Sequence, residues 1–352
     1  LSEQLKRVAS NIDRLITLDI NGRGVIHELY NAARQKTGRA LVHAASEVLS
    51  RNVTPRSIVL ITTGWPDRPW ITPTIGELDG PPGAALLGRS IHRLLGAVPI
   101  FLIEEELQPA MRATACASGF AVLSTDQAIS ASESPSPLHA ASILSFPKEI
   151  SKAKKESKKL IDKFDPKAVI VIEKGGVNQK GIIHNARGMD TTLCMAKADE
   201  LVEVAKQNDI VSIGIGDGGN EVGMGLIEDA VRKFVPFGAK CACPCEAGLA
   251  PVTETDVLVT SSVSNWGAYG IAACLAVMHK DSDAIHDEAM EMRTLREAAD
   301  AGLIDGNTGY VDPGADGIPA VTHAAIITIL RQIVTNAISP YGLALESKDI
   351  EK

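Results

Sequence analysis

The chain has 352 residues, 45% of them hydrophobic and 22% charged, a profile that fits one large α/β unit or two ordinary globular domains. With 35 basic against 43 acidic side chains, its formal charge of −8 argues against nucleic acid as a main partner. No run approaches the ~18 uncharged apolar residues of a membrane span, and six cysteines in so long a chain fit a reducing compartment better than a disulfide scaffold.

The segment from Leu1 to Ile20 is charged throughout, unlike a secretory h-region, and Leu1 in place of Met leaves room for a removed presequence. The expected location is the cytoplasm, or the mitochondrial matrix after such removal. Leu5, Val8, Ile12, Leu15 and Ile16 recur at helical spacing, and Ala40 to Leu49 forms a second apolar face, so residues 1–55 read as an N-terminal helical segment. Ser57 to Thr62 reads as a buried strand, followed by a Gly/Pro-rich loop from Gly64 to Gly83 and a helix over Ala84 to Leu95. Val98 to Ile103 is a second strand, Pro109 to Ser118 a helix and Phe120 to Leu123 a weak strand. This is the βαβ rhythm of a parallel sheet covered by helices, a Rossmann-like α/β fold.

A Ser/Pro-rich stretch, Ser130 to Pro147, interrupts the rhythm. It predicts a boundary near residues 130–167 between two lobes of an α/β domain over 56–345. The lysine-rich segment Lys148 to Lys167 reads as the solvated face of an amphipathic helix rather than an anion-binding arm. Three more strands are expected at Ala168 to Ile172, Ile210 to Ile215 and Val257 to Ser261. The apolar stretch Ile318 to Ile333 fits either a homodimer interface or a buried helix.

Chemistry is expected beyond the carboxyl ends of these strands. Glu77 and Asp79, two apart in an extended segment, point to one side and read either as turn and capping residues or as oxygen ligands for a hard cation. Glu173-Lys-Gly-Gly-Val-Asn178, with His184, Asn185 and Asp190 nearby, places a carboxylate and a lysine beside glycines that admit a ligand to the backbone. In the segment from Ile210 to Gly225, Gly214, Gly216 and Gly219 satisfy G-x-G-x-x-G. Asp217 would set a negative charge where a pyrophosphate should lie, and the acidic residue expected ~20 positions on has no clear match, so no nicotinamide cofactor is expected. Asp217, Asn220 and Glu221 instead offer oxygen ligands suited to Mn2+ or Mg2+.

Cys241, Cys243 and Cys245 form C-x-C-x-C, which lacks paired C-x-x-C knuckles, and no histidine is expected close by. They read as buried structural thiols or a redox-sensitive patch. Ser261 to Gly270 starts a helix after a strand, where free N–H groups could bind an anion. Asp305-Gly-Asn-Thr-Gly309 and Asp312 form a turn with the wrong spacing for a calcium loop, readable as turn chemistry or a substrate loop.

Taken together, Glu173 to Asn178, Gly214 to Gly225, Ser264 to Gly270 and the Glu77-Leu-Asp-Gly-Pro-Pro-Gly-Ala-Ala85 segment resemble the D-glutamate cyclase family, from about Ser57 to about Thr322. The resemblance implies a hydro-lyase converting D-glutamate to 5-oxo-D-proline and water. Animal members carry an additional hydro-lyase-like domain; the motifs here are those of the cyclase-like one. On this reading Glu77, Asp79, Asp217 and Glu221 hold a divalent cation, and Glu173, His184 and Asp217 are the catalytic residues, with Glu173 or His184 moving protons. Lys174, Gly175, Asn178, Asn220 and Asn265 bind a small acidic substrate. Two other functions share these residues: a Mn/Mg-dependent phosphomonoesterase, and a non-catalytic sensor of an acidic amino acid.

Overall fold

In the computed structural model, which describes residues 3–339, the uncharged, β-branched runs form the inner strands of one sheet. The strands are β1 (Ile58–Thr63), β2 (Val98–Ile103), β3 (Ala121–Val122), β4 (Ala140–Ser145), β5 (Ala168–Ile172), β6 (Val211–Gly216) and β7 (Val257–Thr260). They lie in the order β3-β4-β2-β1-β5-β6-β7, and every neighbouring pair is parallel. The α/β fold with N-terminal helices is therefore as the sequence led one to expect.

Alternate residues of each strand face opposite sides, and each side carries its own core. Val59 and Ile61 of β1 join Phe101, Ile170 and Ile215 in the larger one. Over it pack α1 (Glu3–Ile16), α2 (Ile26–Thr37), α3 (Leu41–Asn52), α4 (Pro81–Leu95), α5 (Gln108–Ala117) and four later helices described below. Ile58 and Leu60 face the other way, with Val98, Ile100, Val169 and Val171. Those are covered by α6 (Thr125–Glu133), α7 (Ile150–Phe164) and α8 (Ala198–Gln207). The lysines of α7 lie on its solvated side, while Ala153, Leu160 and Ile161 are buried.

After the short α9 (Glu228–Phe234) comes α10 (Ser264–His279), buried all round from Ser264 to Ala276. Its polar groups are answered inside the core. Trp266 Nε1 donates to His323 Nδ1 at 2.8 Å, and Tyr269 Oη donates to Glu291 Oε1 at 3.1 Å. His323 belongs to α12 (Ala320–Ile338), which packs on α10, and Glu291 to α11 (Glu288–Asp300), which packs on α12 and α5. By length and composition alone α12 is long and apolar enough to cross a membrane, although the sequence reading found no such run. Its Ala320, Ile327, Leu330 and Val334 are buried here, whereas Val321 and Ile329 are exposed.

The Ser/Pro-rich interruption holds an element the sequence reading lacked. Strand β4 lies within it and pairs with both β2 and β3, and β1, before residues 130–167, pairs with β5, after them, in the same sheet. Its sequence, Ala-Ala-Ser-Ile-Leu-Ser, has one β-branched residue and little side-chain bulk, and the surrounding serines and prolines mask it. The end of the expected 56–345 domain, residues 340–345, lies outside the described residues.

One ion pair ties three strand ends beneath the sheet's carboxyl edge. Lys174 Nζ, fully buried after β5, lies 2.5 Å from both oxygens of the equally buried Glu104, which follows β2, and 2.5 Å from the Gly64 carbonyl after β1. Glu104 also accepts the Ala196 N–H at 2.7 Å. Breaking a buried pair from one side leaves an uncompensated charge, which costs about 3–5 kcal/mol. Lys174→Met should lower the urea-unfolding free energy by about that amount, and Lys174→Met/Glu104→Gln should recover part of it.

Candidate active site

The strand order reverses between β1 and β5: the chain builds outward through β2 and β4 on one side and through β6 and β7 on the other. Such a switch point opens a crevice beyond the strands' carboxyl ends, and a cleft of about 170 Å³ lies there. That is small beside the roughly 300–1,000 Å³ of pockets for drug-sized ligands. Glu77, Glu173, Asp217 and Asp316 line it together with Arg23, Arg68 and Arg187, and Trp65 and Trp70 supply apolar wall.

Each carboxylate is placed by its own strand-end loop. The loop after β1 folds back on itself through Asp67 N–H to the Ile75 carbonyl (2.9 Å) and Glu77 N–H to the Trp65 carbonyl (3.0 Å). Leu78 N–H then bonds the Ile304 carbonyl at 2.8 Å, which sets Glu77 beside the Asp/Gly-rich turn. A Cβ on Gly306 would lie 2.5 Å from Glu77 Oε2, so that approach requires glycine. Glu173, the first residue past β5, has a left-handed backbone (φ 46°), costing a side chain of its kind on the order of 1 kcal/mol. Its Oε2 accepts the Ser264 hydroxyl at 2.5 Å.

The glycine loop after β6 is filled by its own glutamate. Glu221 accepts the N–H groups of Asp217 (2.8 Å), Gly218 (2.6 Å) and Gly219 (2.8 Å), the donors that would otherwise cradle an anion. A Cβ on Gly216 would sit 2.7 Å from the Glu221 carboxyl carbon, which explains the glycine there. With Glu221 in the cradle, the side chain of Asp217 turns to the cleft and pairs with Arg23 at 2.6 Å.

Asp79 lies deeper. Its oxygens accept Ser264 N–H and Asn265 N–H, both at 2.8 Å, at the N-terminus of α10. Asn265 answers by accepting Gly80 N–H (3.0 Å) and Gly83 N–H (2.7 Å) and donating to the Leu78 carbonyl (3.0 Å). Asn265 is fully buried, is engaged in holding this turn and does not line the cleft.

The sequence also pointed to residues that the structure sets elsewhere. Lys174 is committed to Glu104 and does not line the cleft. Gly175 packs against Ile183 and Trp65. Asn178 donates to the Gly248 carbonyl at 2.7 Å and accepts two N–H groups of its own turn. The His184 ring turns from the carboxylates, its Nε2 3.2 Å from Cys243 Sγ, which corrects the expectation that no histidine lies near the cysteines. Its backbone carbonyl still reaches the site, accepting Asn220 Nδ2 at 2.8 Å. Of the residues expected at the site, Glu77, Glu173, Asp217 and Asn220 line the cleft, with Asp79 and Glu221 behind them.

Arg23 and Asp316 were not foreseen. Asn21 Nδ2 donates to the Asp316 carbonyl at 2.9 Å, which docks the turn between α1 and α2 on the hairpin before α12. Their only sequence signal is a charged residue next to glycines, in Asn21-Gly-Arg-Gly24 and Gly314-Ala-Asp-Gly317.

Crowding of like charges governs the electrostatics. Burial, reinforced chiefly by Asp217, pushes Asp79 up to about 8 and Glu221 up to about 7. Burial and then Asp217 also hold Glu173 and Asp316 well above the usual carboxylate range, and burial and then Asp79 do so for Glu77. Among the described residues, Arg23 makes the one ion pair to any of these six carboxylates. Two sets of these carboxylates could hold a metal: Asp79, Asp217 and Asp316, and Glu173, Asp217 and Glu221. An all-oxygen donor set suits a hard divalent cation, and Asp316 Oδ2 is buried with no hydrogen-bond partner. The residues fit such an ion.

Comparison with known families matches residues 12–331 to the one described as D-glutamate cyclase-like, C-terminal. The chain belongs to this family. It is also 29% identical over 350 residues to the mitochondrial D-glutamate cyclase of Homo sapiens, a match covering 92% of this chain and 51% of that protein. The D-glutamate cyclase-like chain thus spans about half the length of that curated relative.

The raised carboxyl pKa values carry a sign for stability. Asp79 goes from 3.8 to about 8 on folding and Glu221 from 4.5 to about 7, so between about pH 4 and 8 the native state keeps protons that the unfolded chain has released. Unfolding free energy therefore falls as pH rises through that window. With a chelator present, the melting temperature of this family member should be lower at pH 8 than at pH 5. Added Mn2+ or Mg2+ should raise it more at pH 8 than at pH 5.

Proposed function

We propose that the chain is a D-glutamate cyclase, a hydro-lyase converting D-glutamate to 5-oxo-D-proline and water with the help of Mn2+ or Mg2+. One observation carries this beyond family membership: a small cleft joins an acidic floor of Glu77, Glu173, Asp217 and Asp316 to an arginine rim of Arg23, Arg68 and Arg187. That layout suits a small molecule with one ammonium and two carboxylates. Arg23 and Arg68 are already paired with Asp217 and Asp67. Arg187 is exposed and makes no hydrogen bond or ion pair through its side chain among the described residues, which makes it our choice for a substrate carboxylate.

Ring closure joins the amine nitrogen to the distal carboxylate carbon, and two ammonium protons leave with one carboxylate oxygen as water. Nitrogen and carboxylate belong to one molecule, so the protein supplies orientation and charge rather than encounter. A divalent cation on Asp217 and its acidic neighbours would supply Lewis-acid stabilisation of the developing oxyanion. Glu173 would accept a proton from the ammonium and return it to the departing hydroxyl. A carboxyl raised by burial and by Asp217 serves both halves better than an ordinary one. Asn220 would fix the wall of the cleft through the His184 carbonyl. The name of the human relative suggests a mitochondrial setting.

Purified, metal-stripped chain incubated with D-glutamate, L-glutamate or 5-oxo-D-proline, with and without Mn2+, should show metal-dependent interconversion in the D series alone by chiral chromatography. Asp217→Asn and Glu173→Gln should each lower kcat by about 100-fold or more with the circular dichroism spectrum kept. Arg187→Ala should act mainly on KM. Absence of interconversion by the unsubstituted chain under every metal tried would overturn the proposal.

A further inference from the structure

A second cluster of ligating groups lies behind the wall of the cleft. His184, in the turn after β5, meets Cys241, Cys243 and Cys245 from the loop after α9, and the four candidate ligand atoms all lie within 4.8 Å of one another. His184 Nε2 is 3.2 Å from Cys243 Sγ and 3.5 Å from Cys245 Sγ. Cys241 Sγ is 3.6 Å from Cys243 Sγ and 3.2 Å from Cys245 Sγ. No disulfide joins them. Zinc bonds of about 2.3 Å to sulfur and about 2.0–2.1 Å to nitrogen imply tetrahedral edges of about 3.8 Å between sulfurs and about 3.6 Å from nitrogen to sulfur. The observed separations are on that scale, marginally contracted.

The surroundings are built for the same purpose. The N–H groups of Ala242 and Cys243 both bond the Gly188 carbonyl, at 3.0 and 3.1 Å, clamping the cysteine loop to the histidine turn. Gly188 has φ 69°, and a Cβ there would lie 2.9 Å from the Ala242 nitrogen. Two donors aim at sulfur: Cys245 N–H at Cys243 Sγ (3.4 Å) and Asn178 Nδ2 at Cys245 Sγ (3.5 Å). Donors of this kind stabilise thiolates around a metal. His184 is fully buried and Cys241 nearly so.

We propose that His184, Cys241, Cys243 and Cys245 bind one Zn2+ in a closed, four-coordinate structural site. Three thiolates and one imidazole are a borderline-soft donor set, which selects zinc over the hard cation suited to the carboxylates. All four positions come from protein, so the ion has no place for a substrate. Its role is to fasten the 177–190 turn to the 238–248 loop. Because Asn185 and Arg187 line the cleft and the His184 carbonyl accepts Asn220 Nδ2, this fastening sets one wall of the acidic site.

The test needs no knowledge of the reaction. Elemental mass spectrometry of the purified chain should find one zinc per chain, reduced to near zero in Cys243→Ser and in His184→Ala and unchanged in Cys116→Ser, an exposed cysteine outside the cluster. Exchange with Co2+ should give thiolate-to-cobalt charge-transfer bands and intense tetrahedral d–d bands. If the substituted chains fail to fold, the cobalt spectrum of the unsubstituted chain decides. A zinc-free chain, zinc retained in both variants, a cobalt spectrum without thiolate bands, or a disulfide among the three cysteines would each overturn the proposal.

Discussion

The site depends on a reciprocal clamp between two elements remote in sequence. Asp79 accepts the first N–H groups of α10, and Asn265, in the first turn of that helix, answers the backbone of the Asp79 turn. The helix dipole and two N–H bonds favour the carboxylate, yet burial and Asp217 outweigh them and raise its pKa. The clamp docks the most buried helix of the fold on the β1–α4 loop. Ser264 beside it also holds Glu173, so the floor of the cleft inherits its geometry from the clamp.

A dense group of carboxylates with little intrinsic counter-charge is an unusual thing to bury. The protein tolerates it by two devices. Glu221 is satisfied by three loop N–H groups, which turns a phosphate-type cradle into an internal anchor. Arg23 reaches in from the N-terminal helices to Asp217 and to the Ser262 carbonyl. What remains unbalanced is the group facing the cleft, and that residual field would attract cations and ammonium groups.

Much of this was legible because strand ends in parallel sheets collect chemistry. Glu173 and Asp217 directly follow uncharged β-branched runs, whereas Glu77 lines the cleft and Asp79 lies behind it on the N-terminus of α10. Lys174 is drawn away from Glu173 by its buried pair with Glu104. Asn178 and Asn265 are polar residues in ligand-like company, but amides close turns as readily as they bind substrates, and both do so here. His184 was read with its sequence neighbours, whereas the hairpin pairing Val177 with Ile183 and His184 with Asp190 turns its ring to a loop more than fifty residues away. Arg23, Arg68 and Asp316 could not be assigned, since only the docking of distant segments gives them meaning. Strand β4 was hidden because a short pairing partner needs little hydrophobicity once its neighbours supply the core.

The span from Arg23 to Asp316 has a consequence for how the molecule is made. Parallel strands joined by long crossovers have high contact order and assemble slowly. The turn between α1 and α2 meets the β8–β9 hairpin (Gly314–Ala315 and Ile318–Pro319) only after all seven strands of the described sheet have been synthesised. A ribosome-bound chain with all seven parallel strands would already have its sheet while lacking one side of the cleft. The cleft would then be completed in a single late step, when the segments around Arg23 and Asp316 meet across a sheet that is already formed.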